Sequence, residues 1–168
     1  PVLPETRVGN GAMGVDINGD HLAISIVDRF GNFKKSFSTA FKPYEARTPQ
    51  NEAALGAIIH DLCDLAVELD IPIILEKLHL SRLMAKLKQS HSGKVAKKLS
   101  SLSYSKIFTL FEGFCARRKV KLIRVFAGYS SMLGAINYLH LRKKITSHEG
   151  AALVLARRGL GLKDYLDR

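Results

Sequence analysis

Two tight turns near the start of the chain separate three consecutive strand-like segments. Asn18-Gly19-Asp20 is a strong hairpin signal, and Gly31-Asn32 turns the chain a second time. The segments on either side of these turns have the apolar alternation of strands, over Met13–Asp16, His21–Phe30 and Phe33–Phe37. Because turns this short join only antiparallel strands, the chain is predicted to open with a three-stranded antiparallel sheet.

The rest of the chain alternates between helical and strand-like segments. Apolar residues recur at helical spacing in Gln50–Leu69 and again in Ser103–Lys119. A short, wholly apolar run, Ile71–Leu75, follows the first of these helices and is typical of a buried parallel strand. After the second helix, Lys121–Phe126 alternates as another strand. A last helix is predicted over Ser147–Arg158, with Ser147 as its N-cap.

This order of elements predicts an α/β fold with a mixed sheet: three antiparallel strands, followed by parallel strands and flanked by helices. It is the ribonuclease H-like order. With 168 residues the chain is long enough for one domain, 1–168, with its own core. The stretch 79–101 is basic and Ser-rich, and we expect it to be a helical insertion. Since the sequence opens Pro-Val-Leu-Pro, we expect a fragment of a longer protein.

The charge of the chain is strongly basic and unevenly distributed. Lys and Arg number 26 against 15 Asp and Glu, a formal net charge of +11. The tract 77–124 carries thirteen of these cations and one acid, Glu112, whereas 51–70 carries five acids and no Lys or Arg. Such asymmetry favours a polyanionic partner over a merely solvated basic face. The predicted nucleic-acid contacts are Lys77, Arg82, Lys86, Lys88, Lys94, Lys97, Lys98 and Lys106.

The two cysteines, Cys63 and Cys115, lie far apart in sequence within apolar helical patterns. Neither a disulfide framework nor a Cys-rich zinc site is therefore expected, and a reducing, cytoplasmic location fits. No apolar run in the sequence approaches the roughly 20 residues that a membrane span requires.

Asp16 lies inside the first predicted strand, in the sequence Gly-Val-Asp-Ile-Asn-Gly. Burying an unpaired carboxylate is costly, so a cationic group is expected beside it. The alternative is that Asp16 caps the Asn18-Gly19 turn, as many hairpin aspartates do.

Glu76 follows the apolar run Ile73-Ile74-Leu75 and so lies at the carboxyl edge of the predicted sheet. Open α/β sheets bind their ligands at that edge, and two carboxylates on adjacent strands can share a metal ion. The alternative is an edge residue paired with Lys77 or a neighbouring arginine.

His148 and Glu149 begin the last predicted helix. Either residue has an ordinary explanation, because a helix start is solvent-exposed and an acid there complements the helix dipole. The small residues Ala151 and Ala152 would, however, let this helix approach the sheet closely and bring His148 or Glu149 over the edge that holds Asp16. Carboxylates and imidazole around divalent ions suit phosphodiester hydrolysis, which two metal ions about 4 Å apart can catalyse.

Four segments together resemble a known family. Residues 14–23 (GVDINGDHLA), 74–78 (ILEKL), 129–134 (YSSMLG) and 148–161 (HEGAALVLARRGLG) resemble, in order and spacing, the RuvC-like nuclease segments of TnpB (OrfB)-type transposon proteins. These proteins are related to the type V CRISPR nucleases. The resemblance implies a nuclease that uses Mg²⁺ or Mn²⁺, with DNA as its partner and a guide RNA as a further candidate partner. It places Asp16 and Glu76 at two catalytic positions.

The chain also departs from this family at two points. His148 stands where the family has its third carboxylate, which lowers the ligand charge available to Mg²⁺. The family's Cys-x-x-Cys zinc ribbon has no counterpart after Tyr129-Ser130-Ser131, so no zinc is predicted. The residue-by-residue resemblance therefore predicts Asp16, Glu76 and His148 as metal ligands, with Glu149 as a further catalytic candidate.

Three alternatives to an active nuclease stay open. The first is a nucleic-acid-binding module of the same fold that has lost turnover. The second is an actin-like phosphotransferase, which would need a second Gly-rich phosphate loop and an adenosine-binding Gly pair that the sequence does not show. The third is a basic structural protein such as a ribosomal component, which gives no reason for Asp16 and Glu76 to converge.

Overall fold

The structure is a computed structural model that describes residues 5–42, 49–77, 94–138 and 144–165, with the backbone alone for 94–103. Its strands are β1 (Gly11–Ile17), β2 (His21–Asp28), β3 (Phe33–Ala40), β4 (Ile73–Glu76) and β5 (Leu122–Val125). Its helices are α1 (Pro49–Leu69), α2 (Lys94–Arg118), α3 (Ser130–Asn137) and α4 (Ser147–Gly159). A single 3₁₀ turn, Val8–Asn10, precedes β1.

The five strands form one mixed sheet in the order β3-β2-β1-β4-β5. The first three strands pair antiparallel through the two predicted hairpins. The strands β4 and β5 then add in parallel beside β1. This topology confirms the predicted fold class, and it leaves β1 at the centre of the sheet between an antiparallel and a parallel neighbour.

Both faces of β1 are covered, which explains why six of its seven residues are buried. Met13, Val15 and Ile17 point to one face and join the core beneath α1 and α2, together with Ile59 and Phe111. This is the larger of two apolar clusters. The apolar stripe of α1 packs here, as its helical spacing predicts.

The opposite face of the sheet is covered by α4. Ala12, Ile74, Leu153 and Leu155 form a second apolar cluster between this helix and the strands. The helix is buried almost continuously from Glu149 to Ala156, because the sheet lies below it and α3 packs against it.

Two glycine contacts set how closely these layers approach. A Cβ placed on Gly14 of β1 would lie 1.9 Å from the carbonyl oxygen of Ala152 in α4. A Cβ on Gly134 of α3 would lie 2.4 Å from the carbonyl carbon of Gly150. Backbone therefore meets backbone at both crossings, and only glycine leaves room for that packing.

Several predicted boundaries differ from the observed ones. The N-cap of α4 is Thr146 rather than Ser147, because the Thr146 hydroxyl accepts a hydrogen bond from the backbone N–H of Glu149. The long helix α2 begins at Lys94 rather than Ser103, so the last part of the predicted insertion 79–101 belongs to it. The insertion's residues 79–93 lie outside the described part of the chain. The fourth strand begins at Ile73 rather than Ile71.

The cysteines are closer than their sequence separation indicated. Cys63 of α1 and Cys115 of α2 are both free and buried, with their sulfur atoms 3.7 Å apart. Two helices that pack side by side thus bring residues that are remote in sequence together. Within the residues that the structure describes, no helix has the length and apolar character of a membrane span.

Candidate active site at the carboxyl edge of the sheet

Asp16 and Glu76 lie side by side on two neighbouring parallel strands, each directly after the last residue that pairs β1 with β4. Val15 of β1 pairs with Leu75 of β4, and each carboxylate is the next residue on its strand. Ala12 and Ile74 contact the α4 side of the sheet. Because side chains alternate along a strand, Asp16 and Glu76 also project to that side. The structure therefore brings the two predicted carboxylates to one edge and one face of the sheet.

The carboxylate of Asp16 is mostly buried, with 17% of its side chain exposed. Its Oδ2 accepts a hydrogen bond of 3.1 Å from the amide of Asn18. Burial raises the pKa of Asp16, and the hydrogen bonds from Asn18 and His148 oppose that shift. The contact with Asn18 links Asp16 to the hairpin turn, as the alternative interpretation expected. Asp16 therefore contacts the turn and also lies at this edge of the sheet.

His148 lies over this carboxylate from the start of α4. Its Nδ1 is 3.2 Å from Oδ2 of Asp16, and about half of its side chain is exposed. The imidazole is therefore positioned between a buried carboxylate and solvent. Of the two candidates at the start of α4, His148 is the one whose side chain reaches Asp16.

Glu149 points away from solvent and is engaged in holding the helix start. Its carboxylate accepts hydrogen bonds from the hydroxyls of Ser36 and Ser38 in β3 and from the backbone N–H of Thr146. The last of these bonds completes a capping box. These contacts occupy both carboxylate oxygens and anchor α4 to β3, so they favour a structural role for Glu149.

Two further residues at this edge were not predicted from the sequence. The ring of His21, the first residue of β2, packs edge-on against the ring of His148 with their centroids 4.9 Å apart. Nδ1 of His21 lies 2.6 Å from a carboxylate oxygen of Asp20. A histidine directly after the hairpin turn was the available signal, because hairpin pairing returns it to the level of the residues just after Asp16.

Tyr104 approaches the same edge from α2. Its hydroxyl donates a hydrogen bond of 2.6 Å to the carbonyl oxygen of Ile17, the last residue of β1. Burial and the negative charges of Glu76 and Asp16 together raise the pKa of Tyr104 to about 12. The tyrosine thus lies within electrostatic range of both carboxylates, although helical spacing alone gave no sign of it.

The donor set at this edge fits a divalent cation. In residues 5–42, 49–77, 94–138 and 144–165, no Lys or Arg forms an ion pair with Asp16, and the imidazole of His148 lies beside its carboxylate. A mostly buried carboxylate with no permanent cation beside it is unfavourable unless a positive group joins it. Carboxylate oxygens and an imidazole nitrogen are ligands that Mn²⁺ accepts readily and that Mg²⁺ accepts mainly through the oxygens.

A second cluster of metal-ligating groups lies elsewhere. His60, Asp61 and Asp64 on α1 place one ligand atom each within 4.8 Å of one another. This helix covers the other face of the sheet, away from His148. Arg118 forms an ion pair with Asp64. A fixed positive charge at this cluster opposes metal binding. We therefore attribute the cluster of His60, Asp61 and Asp64 to surface ion pairing.

The predicted basic surface is partly neutralised within the fold. Lys106 and Arg118 of α2 form ion pairs with Glu52 and Asp64 of the acidic helix α1. Some of the basic residues of the tract 77–124 therefore pair with acids of the neighbouring helix, and the charge of those pairs is balanced within the fold. Lys77 is exposed directly after Glu76. Of the other predicted contacts, Arg82, Lys86 and Lys88 lie outside the described residues, as do the side chains of Lys94, Lys97 and Lys98.

Comparison with solved structures assigns the fold. The chain is similar to Thermus thermophilus RuvC in complex with Holliday junction substrate, with a TM-score of 0.58 and 11% identity over 88% of this chain and 90% of that one. A second Thermus thermophilus RuvC structure gives a TM-score of 0.55 and 12% identity over 91% and 98% of the two chains. The chain therefore has the RuvC-like variant of the ribonuclease H-like fold. No protein-family model matches the sequence, and no curated protein matches it either.

Proposed function

We propose that this chain is the nuclease domain of a metal-dependent endonuclease that hydrolyses phosphodiester bonds in DNA. The observation that carries this proposal is the meeting of Asp16 and His148 at the carboxyl edge of the sheet, beside the register position of Glu76. Three potential ligands from β1, β4 and α4 thus share one edge. The fold alone would not support the proposal, because one fold hosts many unrelated activities.

Asp16, Glu76 and His148 would hold one or two ions of Mg²⁺ or Mn²⁺. The chemistry that such ions supply when bound is Lewis-acid polarisation of the scissile phosphate. The chain's own contribution is orientation: Asn18 holds the carboxylate of Asp16, and Tyr104 holds the end of its strand. The exposed Lys77 supplies positive charge next to the site for a phosphate backbone.

DNA is favoured as the substrate by two observations. The net charge of +11 suits a polyanion. One of the similar structures, a RuvC protein, is bound to Holliday junction substrate. Within this proposal, the resemblance of residues 14–23, 74–78 and 148–161 to TnpB-type proteins makes a transposon-associated nuclease the parent protein we favour. A guide RNA is then a further expected partner.

The proposal is tested by cleavage of labelled single-stranded and branched DNA in Mn²⁺ or Mg²⁺. We expect metal-dependent cleavage by the unaltered chain and none by Asp16→Asn. His148→Asp restores a carboxylate next to Asp16 and should tighten Mg²⁺ binding without loss of cleavage. Glu149→Gln is the matched control on the same helix turn, and it should lower stability while leaving metal affinity unchanged.

The reverse pattern would overturn the assignment of ligands. If Glu149→Gln abolishes metal binding and His148→Asp has no effect, Glu149 is the third ligand. If no divalent ion binds and no DNA is cut, the nuclease proposal fails.

The second candidate function is a DNA-binding module without turnover. It is favoured by one observation, the imidazole of His148 in place of a third carboxylate beside Asp16. In that case the chain binds DNA, and His148→Asp gains metal affinity and cleavage that the unaltered chain lacks. Comparing these two proteins in one assay separates the candidates.

A further inference from the structure

A groove of about 460 Å³ lies beside the edge strand β5. Its walls come from the residues that end β5, from Arg158 near the end of α4, and from the segment that follows α4. Val125, which lines the groove, is the register partner of Glu76 in β4. Because neighbouring strands are about 5 Å apart, the groove begins one strand away from the candidate active site.

The groove combines exposed aromatic rings with positive charge. Phe126 and Tyr165 line it with 45% and 70% of their surfaces exposed, although large aromatic residues usually bury theirs. Lys163, which also lines the groove, is an exposed cation. The acid in the lining, Asp164, is 4% exposed in its side chain and forms an ion pair with Arg157. The charge that faces solvent in the groove is therefore positive.

The Phe126 side of the groove is held in a defined position. The guanidinium of Arg158 donates hydrogen bonds to the carbonyl oxygens of Phe126 and Gly128, which ties the segment after β5 to α4. The ring of Phe126 packs directly onto Gly128, where a Cβ would lie 2.1 Å from a ring carbon. A ring that is fixed on one side and exposed on the other loses little conformational freedom when a flat ligand stacks on it.

We propose that this groove binds an unpaired segment of the DNA substrate, with bases stacked on Phe126 and Tyr165 and the phosphate backbone attracted by Lys163 and Arg158. Aromatic faces interleaved with cations are the recognition chemistry of single-stranded nucleic acid. An apolar peptide would gain nothing from the cations, and a duplex keeps its bases stacked inside. This inference rests on the proposed function, because the groove would guide along β5 the DNA strand that reaches Glu76.

The test measures binding of the full chain, in EDTA, to a fluorescent oligothymidine and to an abasic oligomer with the same number of phosphates. We expect Tyr165→Ala to weaken oligothymidine binding at least about fivefold. The same variant should leave the abasic oligomer within about twofold. Lys163→Gln should instead weaken both ligands alike and reduce the salt slope by roughly 0.7. Tyr165→Phe, which keeps the ring, should bind as the unaltered chain does.

The matched control is Phe30→Ala. Phe30 is also an exposed aromatic residue next to a cation, Arg29, but it lies in the turn after β2 and outside the set of residues that line the groove. It should bind both oligomers normally. The groove is ruled out if Tyr165→Ala and Phe126→Ala both retain full oligothymidine affinity, or if Phe30→Ala causes the same loss. Tighter binding of oligouridine would overturn DNA as the ligand. Since these assays contain no divalent ion, a failure of cleavage overturns the proposed function without changing their outcome.

Discussion

Replacing Gly14 with alanine tests how the close approach of α4 to β1 maintains both the fold and the site. The added Cβ would lie 1.9 Å from the Ala152 carbonyl oxygen and 2.7 Å from the backbone nitrogen of Ala156. Both neighbours are backbone atoms of one helix, so no side-chain rotation relieves the clash. To reach even a tight contact of 3.0 Å the helix must retreat by roughly 1 Å.

The energetic consequence follows from what α4 buries. Leu153 and Leu155 are fully buried on this helix and pack in the cluster that contains Ile74 of the sheet. A gap of about 1 Å removes a quarter to a half of the dispersion energy at such contacts. Overpacking of this kind costs about 1 to 3 kcal/mol, and a clash with backbone places Gly14→Ala at the upper end, at about 3 kcal/mol.

The measurement is chemical denaturation followed by circular dichroism, with Gly9→Ala as the matched control. A Cβ on Gly9 meets nothing within 4 Å, so that variant should stay within about 0.5 kcal/mol of the unaltered chain or gain stability. Gly14→Ala should also weaken Mn²⁺ binding, because the retreat of α4 carries His148 away from Asp16. Equal stability of the two alanine variants would refute the close packing of α4 on β1.

Three other predictions test separate features. In EDTA at pH 7, Asp16→Asn should be more stable than the unaltered chain, because burial raises the pKa of Asp16 in the folded state and so makes its ionised form unfavourable there. That difference should shrink as the pH falls through the raised pKa towards 3.8, and urea midpoints that show no such convergence would contradict it. Thr146→Ala should lower the free energy of unfolding by about 1 kcal/mol, whereas Ser147→Ala should change it by less than about 0.5 kcal/mol. If thermal unfolding ranks the two variants the other way, Thr146 is not the cap. Neutralising three lysines of the first turns of α2 should flatten the salt dependence of DNA binding by roughly 0.7 to 0.9 per lost phosphate contact, and an unchanged slope would exclude that surface. These lysines are Lys94, Lys97 and Lys98.

Local patterns predicted the order of elements well. Turn residues such as Asn18-Gly19 act over four residues, and the apolar period of α1 acts over one or two turns, so both are readable without knowing the rest of the fold. Parallel strands end at the same edge of a sheet, which is why Asp16 and Glu76 were expected together and lie at adjacent register positions. Their role as metal ligands stays a prediction.

Choices between adjacent residues required the tertiary structure. His148 and Glu149 differ by about 100° around the axis of α4, and only the packing of that helix directs the first to Asp16 and the second to Ser36 and Ser38. The N-cap depended in the same way on how the chain enters α4, where Thr146 has the extended backbone that a cap needs.

Contacts between segments that are remote in sequence could not be predicted either. The sequence by itself determined which segments form strands and helices and which edge carries the acids, because dihedral preference and burial period are local properties. The tertiary structure decided that Tyr104 reaches Ile17 and that Cys63 meets Cys115. It also decided that His21 packs on His148. These distances depend on the rotation and separation of whole helices on the sheet, which no local pattern encodes.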